Sequence, residues 1–215
     1  MLTVVAKVLA DTLGVRPEDL AAPLLTTYPT AARWAGRGAL TLNALTRGEL
    51  QAAAPGIGFD RWSRADAARA LLLIELRQRG RTGDAFVADA ITCYENGDAG
   101  EQQSWLRAIA LWPEAKSFLP TAVDACRANI VPVFEALACE NPYPAAHFPE
   151  RNFNQVVLKA MFNSIALSRI AGLKSRLNPE LSRMARDYAD ERSAAGRTVP
   201  ADLALAIHDA PQEPR

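Results

Sequence analysis

Apolar residues recur along this chain at the three- and four-residue intervals of an α-helix, almost from end to end. Strict alternation and β-branched runs, the marks of a strand, are missing. The N-terminal stretch places Leu2, Val5, Leu9 and Leu13 on one face of an opening amphipathic helix. Residues 66–79 turn Ala67, Ala70, Leu71, Leu72 and Ile74 toward a core, and Ser63 with Asp66 makes a capping-box signature ahead of them. Gly80 and Gly83 end that helix and open the next, over 84–95, which ENGDAG stops. A further helix spans 100–111 and is blocked by Pro113. Residues 117–139 contain Pro132, so they form either a kinked helix or two helices meeting near 129–131. Residues 152–166 are helical. Asn178 then caps a helix with Pro179 at its first position, and Gly196 closes it. Residues 14–60 are less regular, with a helix-like TLNALTRGELQAAA in their middle. GIGF at 56–59 reads as a bare turn, without the lysine or spacing of a phosphate loop. A short helix starts at Pro200, and a polar, proline-bearing tail beyond it is expected to fray. Short connections between such helices predict an all-α fold of stacked antiparallel helix pairs, as a HEAT-like superhelix or a helical bundle.

Composition narrows the function classes. The 215 residues carry 24 Lys+Arg against 24 Asp+Glu, so no overall field draws in nucleic acid or an anionic membrane. No apolar run is long enough for a transmembrane segment, and the N-terminus lacks the basic start and long apolar stretch of a signal peptide. Cys93, Cys126 and Cys139 are an odd number in a helical chain, which suggests reduced thiols and a cytoplasmic location.

The chemistry is concentrated in residues 124–173. The segment ENPYPAAHFPERN carries Glu140, Asn141, Tyr143, His147, Asn152 and Asn154, stiffened by Pro142, Pro144 and Pro149. Next to it, Asn152, Gln155, Lys159 and Asn163 share one stripe of an otherwise apolar helix. Amides and one ammonium on such a stripe suit a small-molecule cleft; they also suit a plain wet face. Asp124, Arg127, Val131 and Glu135 make a similar stripe on the preceding helix. Asp124 and Arg127 are spaced for a surface ion pair. Asn129 sits where Pro132 frees the carbonyl of Ala128, which a nearby amide would satisfy. Cys126, Cys139 and His147 lack the close pair that a metal site needs, so no metal or other cofactor is expected. No nucleophile with a base at usable spacing stands out, and no catalytic residue is assigned. Trp105 and Trp112, on one helix face, read as core.

Several strings resemble the EboA family: Asp124-Ala125-Cys126-Arg127-Ala128-Asn129, Val133-Phe134-Glu135-Ala136, ENPYP at 140–144 and Phe148-Pro149. Phe153-Asn154-Gln155, Val157-Leu158-Lys159-Ala160, Arg169-Ile170-Ala171-Gly172-Leu173 and RMARDYADERSAAGRTVPAD at 183–202 extend it. With RWSRADAARALLL at 61–73, the resemblance spans roughly residues 60–203. It implies three parts: an N-terminal helical segment over 1–58, a helical core over 59–203, and a tail over 204–215. It further implies a bacterial accessory protein encoded in the ebo gene cluster, which is linked to making and trafficking a secondary metabolite. Its partners would be other proteins of that cluster, with a small polar metabolite as ligand and no nucleic acid. The family supplies no catalytic residues to carry over. The contact surface expected on these grounds is Asn141, Tyr143, His147, Asn154, Gln155 and Lys159, with Arg127 and Glu135. The alternative is an enzyme with its pocket between 117–139 and 152–166, Glu140 or His147 as acid/base and Lys159 as electrostatic anchor.

Overall fold

The computed structural model describes residues 1–20 and 23–208. Among these, every regular element is helical, and the one β-bridge joins Ala39 to Ser63. The first half holds α1 (Leu2–Leu13), α2 (Leu24–Ala35), α3 (Ala44–Ala53), α4 (Arg64–Gln78), α5 (Gly83–Glu95) and α6 (Ala99–Ala108). The second half holds α7 (Leu119–Ala125), α8 (Val131–Ala138), α9 (Tyr143–His147), α10 (Glu150–Phe162) and α11 (Pro179–Ala194), with short 3-10 turns between them.

The bundle is organised around α4. From Ala65 to Glu75 every side chain is buried, because α1, α2, α5 and α6 surround the helix. A helix wrapped in this way needs apolar residues on all sides, which ALLLI supplies. α4 also buries Asp66, Arg69 and Glu75. α6 carries the packing onward to α8, and α8 in turn meets α10, which packs on α11. One continuous cluster of buried apolar residues reaches from Val5 to Ala206.

Local chemistry sets the helix starts. Ser63 accepts from the Asp66 N–H while Asp66 accepts from the Ser63 N–H, and Asp98 and Glu101 repeat this capping box ahead of α6. Asn43 and Asn178 cap α3 and α11 through single side-chain bonds, each worth about 1 kcal/mol. Pro132 stands in the first turn of α8, where no N–H partner is needed, so residues 117–139 are two helices and not one kinked helix. The stretch expected to be a stiff loop is itself partly helical, since α9 lies inside it and α10 begins at Glu150. Phe162, an apolar residue off the polar stripe of that helix, is nonetheless largely exposed at its last turn, its ring packed edge-on with Tyr188. Of the tail over 204–215 expected to fray, residues 204–206 close the 3-10 helix Ala201–Ala206 with Ala206 buried, and the His208 N–H donates to Ser182, while residues 209–215 lie outside the described residues.

Candidate functional site

The residues singled out in 127–159 fall into two groups. Four turn their polar atoms inward. Asn141 is buried, donating to the carbonyls of Leu106 (2.8 Å) and Ala136 (3.2 Å) and accepting from the Tyr143 N–H. The Tyr143 hydroxyl donates to the Ala115 carbonyl at 2.6 Å, and burial pushes its pKa up. Asn154 and Asn178 exchange amide hydrogen bonds of 3.2 and 3.0 Å in the core. The Lys159 ammonium sits at 4.8 Å over the Phe134 ring and donates to the carbonyls of Cys126 (2.5 Å) and Ala128 (2.7 Å). Burial lowers its pKa. The Ala128 carbonyl freed ahead of Pro132 is thus served by Lys159, and exposed Asn129 takes no part.

The other four reach the surface. Gln155 is exposed on α10. Arg127 pairs with Asp124 at 2.7 Å in full solvent, a contact worth under about 1 kcal/mol. His147 packs its ring 4.7 Å from that of Tyr143, and burial, then the Lys116 charge, lowers its pKa. Glu135 accepts from Arg169 at 2.7 Å. Glu140, His147 and Lys159 therefore engage three separate partners: Arg169, Tyr143 and the end of α7.

Around Glu140 the chain is gripped hard. Glu140 has a positive φ of 48°, a conformation a non-glycine residue holds only when its surroundings enforce it. Its backbone N–H donates to the Arg169 carbonyl, and its own carbonyl accepts from the Gly58 N–H, both at 2.8 Å. Its carboxylate takes a two-pronged contact from Arg169 at 2.8 and 3.0 Å. Those hydrogen bonds hold the Arg169 guanidinium firmly charged. A Cβ on Gly58 would come within 2.3 Å of the Glu140 Cβ, and one on Gly172 within 2.6 Å of the Ala145 Cβ. The GIGF turn that reads as bare is thus the seat of this segment. The crevice beside it, between Arg61, Arg107, Glu135, Glu140 and Arg169, has a volume of about 40 Å³, room for little more than a water. Cys139 lines it, but burial pushes its thiol pKa to about 12, and the same holds for Cys93 and Cys126. Protonated thiols are poor nucleophiles.

A far larger concavity lies elsewhere, in residues whose apolar spacing carried no polar signal. An apolar groove of about 570 Å³ runs between the turns at 167–177 and the 3-10 segment Ala201–Ala206. Leu167, Ile170, Leu173, Leu177, Leu205 and Ile207 line it, and among the described residues Lys174 is its one ionisable group. Its walls are fixed. Asp202 accepts from the Leu167 N–H at 2.7 Å, and the Ser182 hydroxyl accepts from the His208 N–H at 2.8 Å. A second hollow of about 220 Å³, between Met161, Ile165, Leu167 and Leu203, adjoins it at Leu167. The volume falls in the range of small-ligand pockets, and such a lining takes up apolar surface with one anionic contact at its rim.

Fold and groove together describe an all-α protein with a preformed apolar groove. The family model described as metabolite traffic protein EboA matches residues 14–208, and the chain belongs to that family. The match begins well before residue 60, so it takes in most of the segment in which no resemblance was legible. No match was found among curated proteins or among solved structures. Among the described residues, no helix is long and apolar enough to cross a membrane.

Proposed function

We propose that this protein is a non-catalytic carrier that holds a small amphiphilic metabolite, with an apolar body and one anionic end, in the groove between residues 167–177 and 201–207. The observation that carries this reading is the groove: about 570 Å³, apolar, braced on both sides, with Lys174 at its edge. The family description, metabolite traffic, fits a protein that binds and releases rather than converts. The apolar lining argues for an apolar body where the sequence alone suggested a polar ligand. In this reading the protein is a cytoplasmic accessory to enzymes of a bacterial secondary-metabolite pathway. Gln155, Arg127 and Glu135, outside the groove, are the surface groups left to meet a partner.

The test uses anilinonaphthalene sulfonate, an apolar anion that fluoresces when shielded from water, displaced by decanoate. One saturable, displaceable site is expected. Leu205→Asp, at an exposed groove position, removes about 2 kcal/mol of apolar contact and weakens binding roughly thirtyfold. Lys174→Glu weakens it by repulsion, and neither change alters the melting temperature. Binding that ignores both substitutions would defeat the proposal. Binding that appears only in a chain ending at His208 would give the groove to the chain's own C-terminal residues instead.

A further inference from the structure

The 3-10 segment Ala201–Ala206 borders two spaces at once. Ala204 and Leu205 line the apolar groove, Asp202 and Leu203 line the hollow of about 220 Å³, and Leu167 lines both. The hollow forms where α10 stops. Ser164 takes a positive φ of 56°, and the Ser164 and Ile165 N–H groups donate back to the Met161 and Ala160 carbonyls. That pair of bonds ends a helix and turns the chain aside. Ile165 and Leu167, just beyond the turn, are buried and wall the hollow together with Met161 and Leu203.

Asp202 is the one ionisable group of this hollow among the described residues. One of its carboxylate oxygens accepts from the Leu167 N–H at 2.7 Å. The other has no hydrogen-bond partner among the described residues, and no cation there lies within ion-pair distance. A carboxylate offers acceptors only, so the group that would complete it is a donor. A second anionic end would be repelled. An ammonium would leave water for apolar walls, a cost that one partly buried carboxylate does not repay. A hydroxyl satisfies the open oxygen with a single bond and brings no charge with it. Lys174 lines the groove and not the hollow, so the two opposite charges belong to different compartments.

We propose that the metabolite carries a hydroxyl at the opposite end of its apolar body from its acid, and that this end passes Leu167 into the hollow and donates to Asp202. The proposal rests on the carrier reading of the groove and adds a direction to it: the acid meets Lys174 and the hydroxyl meets Asp202.

The experiment displaces anilinonaphthalene sulfonate from the full chain with unsubstituted, ω-hydroxy and ω-methoxy fatty acids, each series running from decanoate to hexadecanoate. At the length that spans both spaces, the hydroxy acid is expected to bind about tenfold more tightly than the methoxy acid, whose oxygen can only accept and so faces the carboxylate unpaired. Asp202→Asn keeps an oxygen for the Leu167 N–H and turns the open position into a donor. It is expected to leave the melting temperature unchanged and to abolish the preference for hydroxyl over methoxy, a change that a bracing role alone would not produce. Hydroxy and methoxy acids that bind alike at every length, a preference that survives in Asp202→Asn, or tighter binding of the ω-amino acid would overturn the proposal. Unsubstituted acids that still displace the dye in those cases would leave the carrier reading standing, whereas failure of every acid to displace it would overturn both.

Discussion

Gly58→Ala is expected to lower stability by about 3 kcal/mol or more, an overpacking effect at the upper end of those known for added methyl groups. The new Cβ would lie 2.3 Å from the Glu140 Cβ and 2.9 Å from its Cγ. Neither partner can yield cheaply. Glu140 is held by its own positive φ, by backbone bonds to Gly58 and Arg169, and by the Arg169 guanidinium. Moving it loosens the contact between the first-half turn at 56–62 and the second half. For a chain of this size the loss corresponds to a fall in melting temperature of roughly 6–12 °C. Gly48→Ala supplies the contrast. Gly48 lies inside α3 with nothing within 4 Å of an added Cβ, so alanine there should stabilise by about 0.5–1 kcal/mol. Urea unfolding of the two variants followed by circular dichroism checks both signs. Equal effects of the two substitutions would mean that the seat at Gly58 is soft.

Arg69→Met is the second large effect. The substitution keeps the apolar stem and removes the guanidinium. The Tyr28 carbonyl, the Ser104 hydroxyl and the nearly buried Glu101 carboxylate then lose their common partner. Breaking such a buried pair from one side costs about 3–5 kcal/mol, mostly from the stranded charge. Adding Glu101→Met removes that charge, so the double variant should recover a large part of the loss. A double-mutant cycle by urea unfolding reads the recovery directly. A double variant whose losses simply add would show that Arg69 and Glu101 do not share the burial.

These two sites mark the limit of what the sequence reveals. The Ser63 and Asp66 box, the Asn178 and Pro179 start and the break at Pro132 were legible because their chemistry is local, closed within four residues. Gly58 was not, because its need for hydrogen at Cα is set by Glu140, 82 residues away in the chain. Lys159 looked like a ligand anchor because its stripe is polar. Its partners are carbonyls at the end of another helix, and no pattern within 152–166 announces them. Arg69 was hidden inside an apolar run whose periodicity suggests only core. The groove escaped for the opposite reason. Leu167, Ile170, Leu173 and Leu177 are spaced like any buried face, and the other wall comes from 201–207, so only the fold shows that the two leave a space between them. The all-α class was legible from the period of apolar residues alone.

Native mass spectrometry of the protein purified from its own host tests the carrier function most directly. Intact and denatured spectra are compared for the wild-type chain and for Leu205→Asp. The carrier account predicts a bound small molecule that is released on denaturation, bears an apolar body with an acidic group, and is absent from the Leu205→Asp protein. A ligand retained equally by both proteins, or a wild-type groove that stays empty in the host that makes the metabolite, would contradict it.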